Sequence, residues 1–383
     1  MRSFDPGGAS SAISALRLPL ATLVVMIHSV LLPLHYVDLV QIPPPEGVSW
    51  IASVSWGAEV GLAHLFAHIA VPAFLFISGY LYFLRRSSSG FTAADYWRKS
   101  RSRFFTLLVP YLFWNLFYVG FVVLQGVSPF DGTAASAAHL FWDYSKFGLE
   151  YVNVLGQHVP LSGPVSLALW YLRDLMVCCL LAPVVWWLVS HSRGWAVLLL
   201  GVLYVCGGFD LPSGLSVSSL FWFSFGALFS ILRIDFVARF RGFVWPALAL
   251  SVALLILLTP FDGKRAGTWW ATVGYGLFIL STVSLAFVAA ARVASSGRLG
   301  RWLSSLGAAS YFVYLTHVYV LRVVGKAGFA PLLDASPQPL HLLLWLVEVV
   351  VVVAICVGGY FFLSRFAPWA LLPLVGWRRS TGL

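Results

Sequence analysis

Charge is scarce in this sequence. Only 10% of the 383 residues are Asp, Glu, Lys or Arg, and 60% are hydrophobic, whereas a soluble globular domain carries roughly 25% charged residues. So few polar groups cannot cover a chain of this length with a water-facing surface, which excludes a soluble fold. A Walker loop and a dinucleotide fingerprint are also missing, which argues against a nucleotide-hydrolysing pump. The four cysteines (Cys178, Cys179, Cys206 and Cys356) fall inside apolar runs without metal-type spacing. They read as buried thiols, and no metal is expected. No internal repeat of the kind that marks many transporters is present.

What the chain does have is length in apolar residues. Runs of about 18 or more recur, enough to cross about 30 Å of hydrocarbon. Helices are expected at about 11–34, 57–84, 104–125, 164–190, 195–210, 215–232, 243–260, 268–291, 303–324 and 341–364. The first run is longer than a signal-peptide core and no small-residue cleavage site follows it, so it is read as a retained helix. The expected fold class is all-α, a polytopic transmembrane bundle of about ten helices. Residues 1–10 and 366–383 are expected as cytoplasmic tails around a membrane core at 11–365.

The placement of positive charge orients the bundle. With a cytoplasmic N-terminus, the outer side keeps Lys146, Arg173, Lys264, Arg265, Arg322 and Lys326, and the inner side receives the other eighteen of the 24 Lys and Arg residues. That bias follows the positive-inside rule, places both termini in the cytoplasm and requires an even number of spans. The net charge of +10 is spread over short clusters between apolar runs, so membrane lipids, and no nucleic acid, are the expected partners. Seventeen Trp and fifteen Tyr suit interfacial belts as well as a packed interior. Two outer segments, 35–56 and 126–163, are longer than the other connections. The second carries Trp142, Tyr144, Phe147 and Tyr151, which suit either an interfacial anchor or a flap over a site.

Ionisable groups inside spans are costly, so each is a candidate functional group. Arg17 and His28 lie on the first helix. Eleven residues bring them to within about 20° of one face and separate them by about 16 Å along the axis. A cation near the cytoplasmic entry suits a phosphate-bearing donor, and a deeper neutral imidazole can take a proton from a hydroxyl. The alternative is a packing histidine with a snorkelling arginine. Glu59, His64 and His68 lie on the second helix. His64 and His68 share a face, yet no third ligand and no His-Glu-x-x-His signature accompany them. Arg173 and Asp174 follow Trp170-Tyr171 on the fourth helix. Adjacent residues point in different directions on a helix, so they need not pair with each other. Either they line an outward cavity or they form structural ion pairs. His317 and Glu348 are single polar groups of the kind that bridge helices. The run Arg98-Lys99-Ser100-Arg101-Ser102-Arg103 enters the third helix and is suited to phosphate oxygens.

Several of these segments resemble one family. Arg17-Leu-Pro-Leu-Ala-Thr-Leu-Val-Val-Met-Ile-His28 is similar to the Arg-x10-His signature of the membrane-bound acyltransferase 3 family, in particular its branch that acetylates bacterial glycans. Val71-Pro72-Ala-Phe-Leu-Phe-Ile-Ser78-Gly79-Tyr80 is similar to its Val-Pro-x-Phe-Phe-x-Ile-Ser-Gly stretch. Arg98-x-x-Arg101-x-Arg103 leading into Leu108-Val-Pro110-Tyr111-Leu-Phe-Trp114 is similar to a third block. Leu169-Trp170-Tyr171-Leu172 and Ser310-Tyr311-Phe-Val-Tyr314-Leu-Thr-His317 resemble two more, and the five occur in order over about 11–365.

The resemblance implies a ten-helix core in the bacterial cytoplasmic (inner) membrane. Acetyl-CoA from the cytoplasm would be the acyl donor, and a sugar hydroxyl on a lipid-linked or exported glycan the acceptor. It implies a catalytic role for His28, with Arg17 binding the donor or poising that histidine. Arg98, Arg101 and Arg103 would hold the coenzyme. Trp170, Tyr171, Arg173, Asp174, His317 and His68 are the candidate acceptor-side residues. Members of the family often carry Arg just before the Val-Pro of the second helix, where this chain has His68 nearby. The competing class is a transporter or flippase for a glycan or lipid.

Overall fold

The computed structural model describes residues 6–29, 50–84, 90–124, 126, 129, 138–261 and 268–376. A helix occupies the middle of each of the ten expected segments. Five helical stretches are long and apolar enough to cross a membrane: Gly8–His28, Ser53–Leu84, Ala93–Val123, Trp269–Ala294 and Leu340–Phe366. A bent pair makes a sixth, and three shorter apolar helices accompany them. The protein is a polytopic helical membrane protein.

The helices depart from their expected lengths where local chemistry intervenes. Helix α1 (Pro6–His28) ends at His28, short of Leu34. Ser29 leaves the helix, turns its hydroxyl onto the Met26 carbonyl at 2.9 Å and accepts the indole N–H of Trp345. His28 is thus the last helical residue of the span. The expected helix at 30–34 and the outer segment up to 49 lie outside the described residues.

The second span begins earlier than expected. It comprises α2 (Trp50–Val60), a π-helical turn at Gly61–Leu65, a 3₁₀ turn at Phe66–Ile69 and α3 (Ala70–Leu84). Pro72 has no N–H for the carbonyl four residues back, so the regular ladder cannot run through the turn that holds His68. Helix α4 (Ala93–Arg103) starts on a capping box formed by Thr92 and Asp95 and carries the basic run. It passes through a π turn at Phe104–Leu108 into α5 (Val109–Val123). Pro110 leaves the Thr106 carbonyl without its helical donor, and the Tyr311 hydroxyl donates to it instead at 3.1 Å.

The expected 164–190 helix is two helices. Between α6 (Trp170–Leu180) and α7 (Ala182–Ser192) the axis bends by 61°. Pro183 begins the second piece, and its ring and missing N–H break the ladder there. Helix α8 (Trp195–Val205) ends before Gly207 and Gly208, whose φ of 91° and 64° turn the chain. Then follow α9 (Val217–Ile231), α10 (Phe236–Arg241), α11 (Val244–Leu258) and α12 (Trp269–Ala294). The ninth expected helix is interrupted as well, into α13 (Arg298–Leu306) and α14 (Ser310–Val320), the latter continuing as a π-helical stretch to Phe329. At the break, a Cβ on Gly307 would sit 2.7 Å from the Ser14 carbonyl, so only glycine allows α1 this close.

The last span is α15 (Gln338–Phe366). Beyond it the chain folds back as α16 (Leu371–Val375), buries Val375, and accepts the Trp114 indole N–H on the Leu374 carbonyl at 2.8 Å. Helix α16 is therefore packed against α5 and α14.

Among the described residues, the 126–163 segment adds the one sheet, a feature outside the all-α expectation. Strands β1 (Ser145–Val152) and β2 (His158–Gly163) pair antiparallel. This hairpin is tied down from several sides. Thr272 donates to the Val152 carbonyl at 2.7 Å, Asn153 Nδ2 to the Gly208 carbonyl at 2.9 Å, and Val154 N–H to the Cys206 carbonyl at 3.0 Å. Residues 138–163, the described part of this segment beyond two single positions, thus form a flap pinned to the helices.

Candidate active site

A cavity of about 360 Å³ opens among α1, α3, α4, α6 and α14. Its cations are Arg17 from α1 and Lys99 and Arg103 from α4. Lys99 and Arg103 are four residues apart and so share a helix face, and Ser102 and Thr106 extend that face along the wall. Lys99 donates to the Tyr82 carbonyl and lies 5.1 Å from the Tyr82 ring centre and 5.5 Å from that of Phe91. Arg103 also approaches the Tyr82 ring, at 6.0 Å. Aromatic faces thus hold two positive side chains where they can meet an anion.

The opposite wall is hydroxyl-rich. Ser78 of α3 and Tyr171 of α6 share a hydrogen bond of 3.3 Å. From α14 come Ser310, Tyr311 and Tyr314. The residues at 310, 314 and 317 follow helical spacing, so one face of α14 runs from the cavity toward His317. Ring contacts continue along the same line. Tyr171 lies 5.6 Å from Tyr314, Tyr314 lies 6.3 Å from His317, and His317 lies 5.3 Å from His28. Tyr314 is held by donating its hydroxyl to the Ala168 carbonyl. Polar and aromatic groups therefore connect a basic cavity to an imidazole pair at the end of α1.

His317 is fully buried. Its Nδ1 lies 2.8 Å from the Tyr314 carbonyl and 3.2 Å from that of Val313. A carbonyl accepts only, so Nδ1 carries the proton and Nε2 the lone pair. His28 is half-buried. It does not line the cavity but lies beyond Tyr314 and His317.

The structure brings together some of the predicted residues and separates others. Arg17, Arg103 and Tyr171 line the cavity, and His28 and His317 meet just past it. Arg98 is turned away onto Asp95 with a side chain 70% exposed, and Arg101 is exposed; neither reaches the cavity. Trp170 packs half-buried against the apolar core. His68 hydrogen-bonds the Ala63 carbonyl at 3.1 Å, 6.2 Å from the Tyr275 ring.

Arg173 and Asp174 pair with each other, which is the structural ion pair the sequence left open beside an outward cavity. The long arginine folds back so that Nε and Nη2 donate to Asp174 Oδ1 at 3.0 and 2.9 Å. Arg173 also donates to the carbonyls of Trp142 and Ser162, while Asp174 Oδ2 accepts from Ser216 and Ser219. Both are fully engaged in fastening the flap to α6 and α9. Among the described residues no three of His, Cys, Asp or Glu gather as a metal site.

Lys99 lay within the phosphate-suited basic run but was not singled out from it, although its four-residue spacing to Arg103 was an available signal. Tyr311 and Tyr314 lay within a family-like segment, yet only the placement of α14 brings them to the cavity.

The family model described as an acyltransferase domain matches residues 10–365. The chain is also similar to the Succinoglycan biosynthesis protein ExoH of Rhizobium meliloti (strain 1021). The two are 27% identical over 329 residues, which is 84% of this chain and 82% of the relative. No solved structure matches.

Proposed function

The chain belongs to the membrane-bound acyltransferase 3 family, and from that premise we propose that it moves an acetyl or other short acyl group from cytoplasmic acyl-CoA to a sugar hydroxyl of a cell-surface or lipid-linked glycan. The observation that carries this reading is the continuous line from Arg17, Lys99 and Arg103, through Tyr171 and Tyr314, to His317 and His28. A relative named for succinoglycan biosynthesis supports a polysaccharide acceptor. The positive-inside distribution supports a cavity mouth on the cytoplasmic side of the bacterial inner membrane.

In this scheme the guanidinium and ammonium groups hold the phosphates of the coenzyme, for which clustered cations are suited. The acyl end extends along the tyrosine wall. The acceptor hydroxyl attacks the thioester carbonyl, so a new O–C bond forms and the C–S bond breaks. Neutral His28 takes the hydroxyl proton as general base and returns it to the departing thiolate. Help of this kind contributes about 10²–10⁴ in rate. Acyl transfer from a thioester to an alcohol is thermoneutral or downhill, so the reaction calls for no nucleotide hydrolysis.

The test is His28→Ala, with the polysaccharide examined by proton NMR for its O-acyl signal. The expected result is loss of that signal while the protein still inserts. An unchanged O-acyl signal eliminates His28 as the base. Saturating acetyl-CoA is also expected to raise the melting temperature of the purified protein. No shift with any short acyl-CoA favours a transporter.

A further inference from the structure

At the inner end of the tyrosine line the scheme above gives His317 no chemical role, and two observations bear on one. His317 is completely buried, and its Nε2 is a polar atom without a hydrogen-bond partner. Its Nδ1–H is committed to backbone carbonyls on its own helix, so the ring cannot turn over to hide the lone pair. A leucine or phenylalanine would fill the same space without leaving a buried acceptor unsatisfied, and such atoms are uncommon in native folds. The second observation is the neighbour. The His28 ring stands 5.3 Å away, centre to centre, with the planes tilted by 38°. At that spacing one ring rotation, or one bridging water, joins a nitrogen of each ring.

We infer that His317 is the positioning residue for His28: its Nε2 accepts a hydrogen bond from one ring N–H of His28 and so holds the tautomer whose other nitrogen faces the acceptor hydroxyl. The inference rests on the acyl-transfer reading and adds a residue to it. A histidine used as a base must keep its lone pair on the correct side, which in many hydrolases is fixed by a carboxylate on the far nitrogen. Here an imidazole locked by the Tyr314 carbonyl takes that place. During transfer the proton moves from the acceptor oxygen to His28, and the bond to His317 spreads the positive charge of the resulting imidazolium. The proton then passes to the thiolate as the C–S bond breaks, leaving both rings neutral. His317 itself gains and loses nothing. The backbone bonds of Nδ1 keep its lone pair aimed throughout.

The experiment compares wild type with His317→Ala and His317→Leu, neither of which offers a side-chain acceptor. Each is purified in lipid nanodiscs and assayed with acetyl-CoA and acceptor glycan. Removing the orienting group is expected to lower kcat by about 10²-fold or more, in the range of general-base contributions. KM for acetyl-CoA and its thermal shift are expected to stay as in wild type. Free imidazole should restore part of the rate in His317→Ala, by occupying the space the ring vacates, but none in His28→Ala. A purely structural role predicts no such rescue.

Wild-type kcat in either variant overturns the inference, as does a slow His317→Ala enzyme with a normal thermal shift that imidazole leaves unchanged. If the alanine variant fails to insert, the better-filling His317→Leu variant decides: a lowered kcat with a normal thermal shift in acetyl-CoA upholds the inference, and wild-type kcat overturns it. Failure of the broader reading looks different, since wild type would then be inactive with every acyl-CoA.

Discussion

Helix α3 separates two regions of opposite chemistry. On one side Phe76 stands at the centre of a ring cluster, with Phe236 at 5.2 Å, Phe225 at 5.5 Å, Phe229 at 5.7 Å and Phe287 at 4.9 Å. On the other side Phe74, Ile77, Ser78 and Leu81 face the basic cavity and its tyrosines. Phe76 and Ser78 are two residues apart, which on a helix places them on different faces. The phenylalanine side is dominated by apolar rings, with Tyr80 packed on Phe236 and Trp222 on Phe225, and coheres through fit. The tyrosine side contributes hydroxyls, cations and imidazoles held by specific donors. Lipid tails are as apolar as the rings, so burial alone gives helices in a bilayer little reason to associate. Close fit must therefore hold the first region, and that fit keeps the second open.

The largest break in this comparison is expected at the fit itself. A Cβ on Gly79 would lie 1.9 Å from the Phe223 carbonyl oxygen, and one on Gly226 would lie 1.9 Å from that of Phe76. The two glycines let α3 and α9 touch backbone to backbone, as small residues do where membrane helices cross closely. Gly79→Ala forces the helices apart and opens the phenylalanine cluster. The expected cost exceeds about 4 kcal/mol, the range reserved for severe core disruption. It is to be read as loss of the folded monomer in detergent chromatography and of the cooperative melting transition. A Gly79→Ala protein that melts like wild type would show that the crossing is looser than its geometry.

The sequence and the structure agree most where length and pattern decide. Apolar runs reveal spans because hydrocarbon thickness sets helix length, and the family segments on α1, α3, α6 and α14 surround the cavity. Interruptions are harder to read. Pro183 was visible as a breaker, yet a proline in a membrane span can be absorbed without a bend, so 61° at the α6–α7 junction was not predictable. The Arg173–Asp174 pair shows the same limit. Helical direction describes Cβ vectors, and a long guanidinium arm with acceptors on the flap overrides it. The pairing of His28 with His317 depends on how α1 and α14 cross, which no spacing within either helix encodes.

On the tyrosine side the expected effects fall on the donor. Lys99→Gln and Arg103→Gln each remove one charged hydrogen-bond donor from the cavity wall, of the kind that contributes about 1.5–3 kcal/mol. With about 1.4 kcal/mol per factor of ten, each is expected to raise KM for acetyl-CoA roughly 10- to 100-fold. Saturating kcat and melting temperature without donor should change little. The double variant shares one ligand between its two sites, so its penalty should fall short of the sum. Higher salt should weaken donor binding in wild type more than in the double variant, because the attraction being screened is already gone. A fall in kcat with KM unchanged would place these cations at the reacting carbonyl.

The smallest effect is expected from the two arginines that the basic run offers and the fold turns outward. Arg98 pairs with Asp95 within its own helix, and its side chain is 70% exposed. Only the guanidinium end of the pair lies in solvent; Asp95 is buried and stays tied to Thr92 in the capping box. Arg101 is exposed as well and does not line this cavity. Arg98→Gln and Arg101→Gln are therefore expected to change KM for acetyl-CoA by less than about twofold, since one exposed charge in high dielectric contributes little. The contrast with Lys99 and Arg103 separates helix face from bulk charge. All four substitutions remove one positive charge from the same eleven-residue helix, so an effect of charge density alone would weaken donor binding equally in each. A tenfold rise in KM for Arg98→Gln would put the coenzyme across the outer face of α4 and leave the cavity to another ligand.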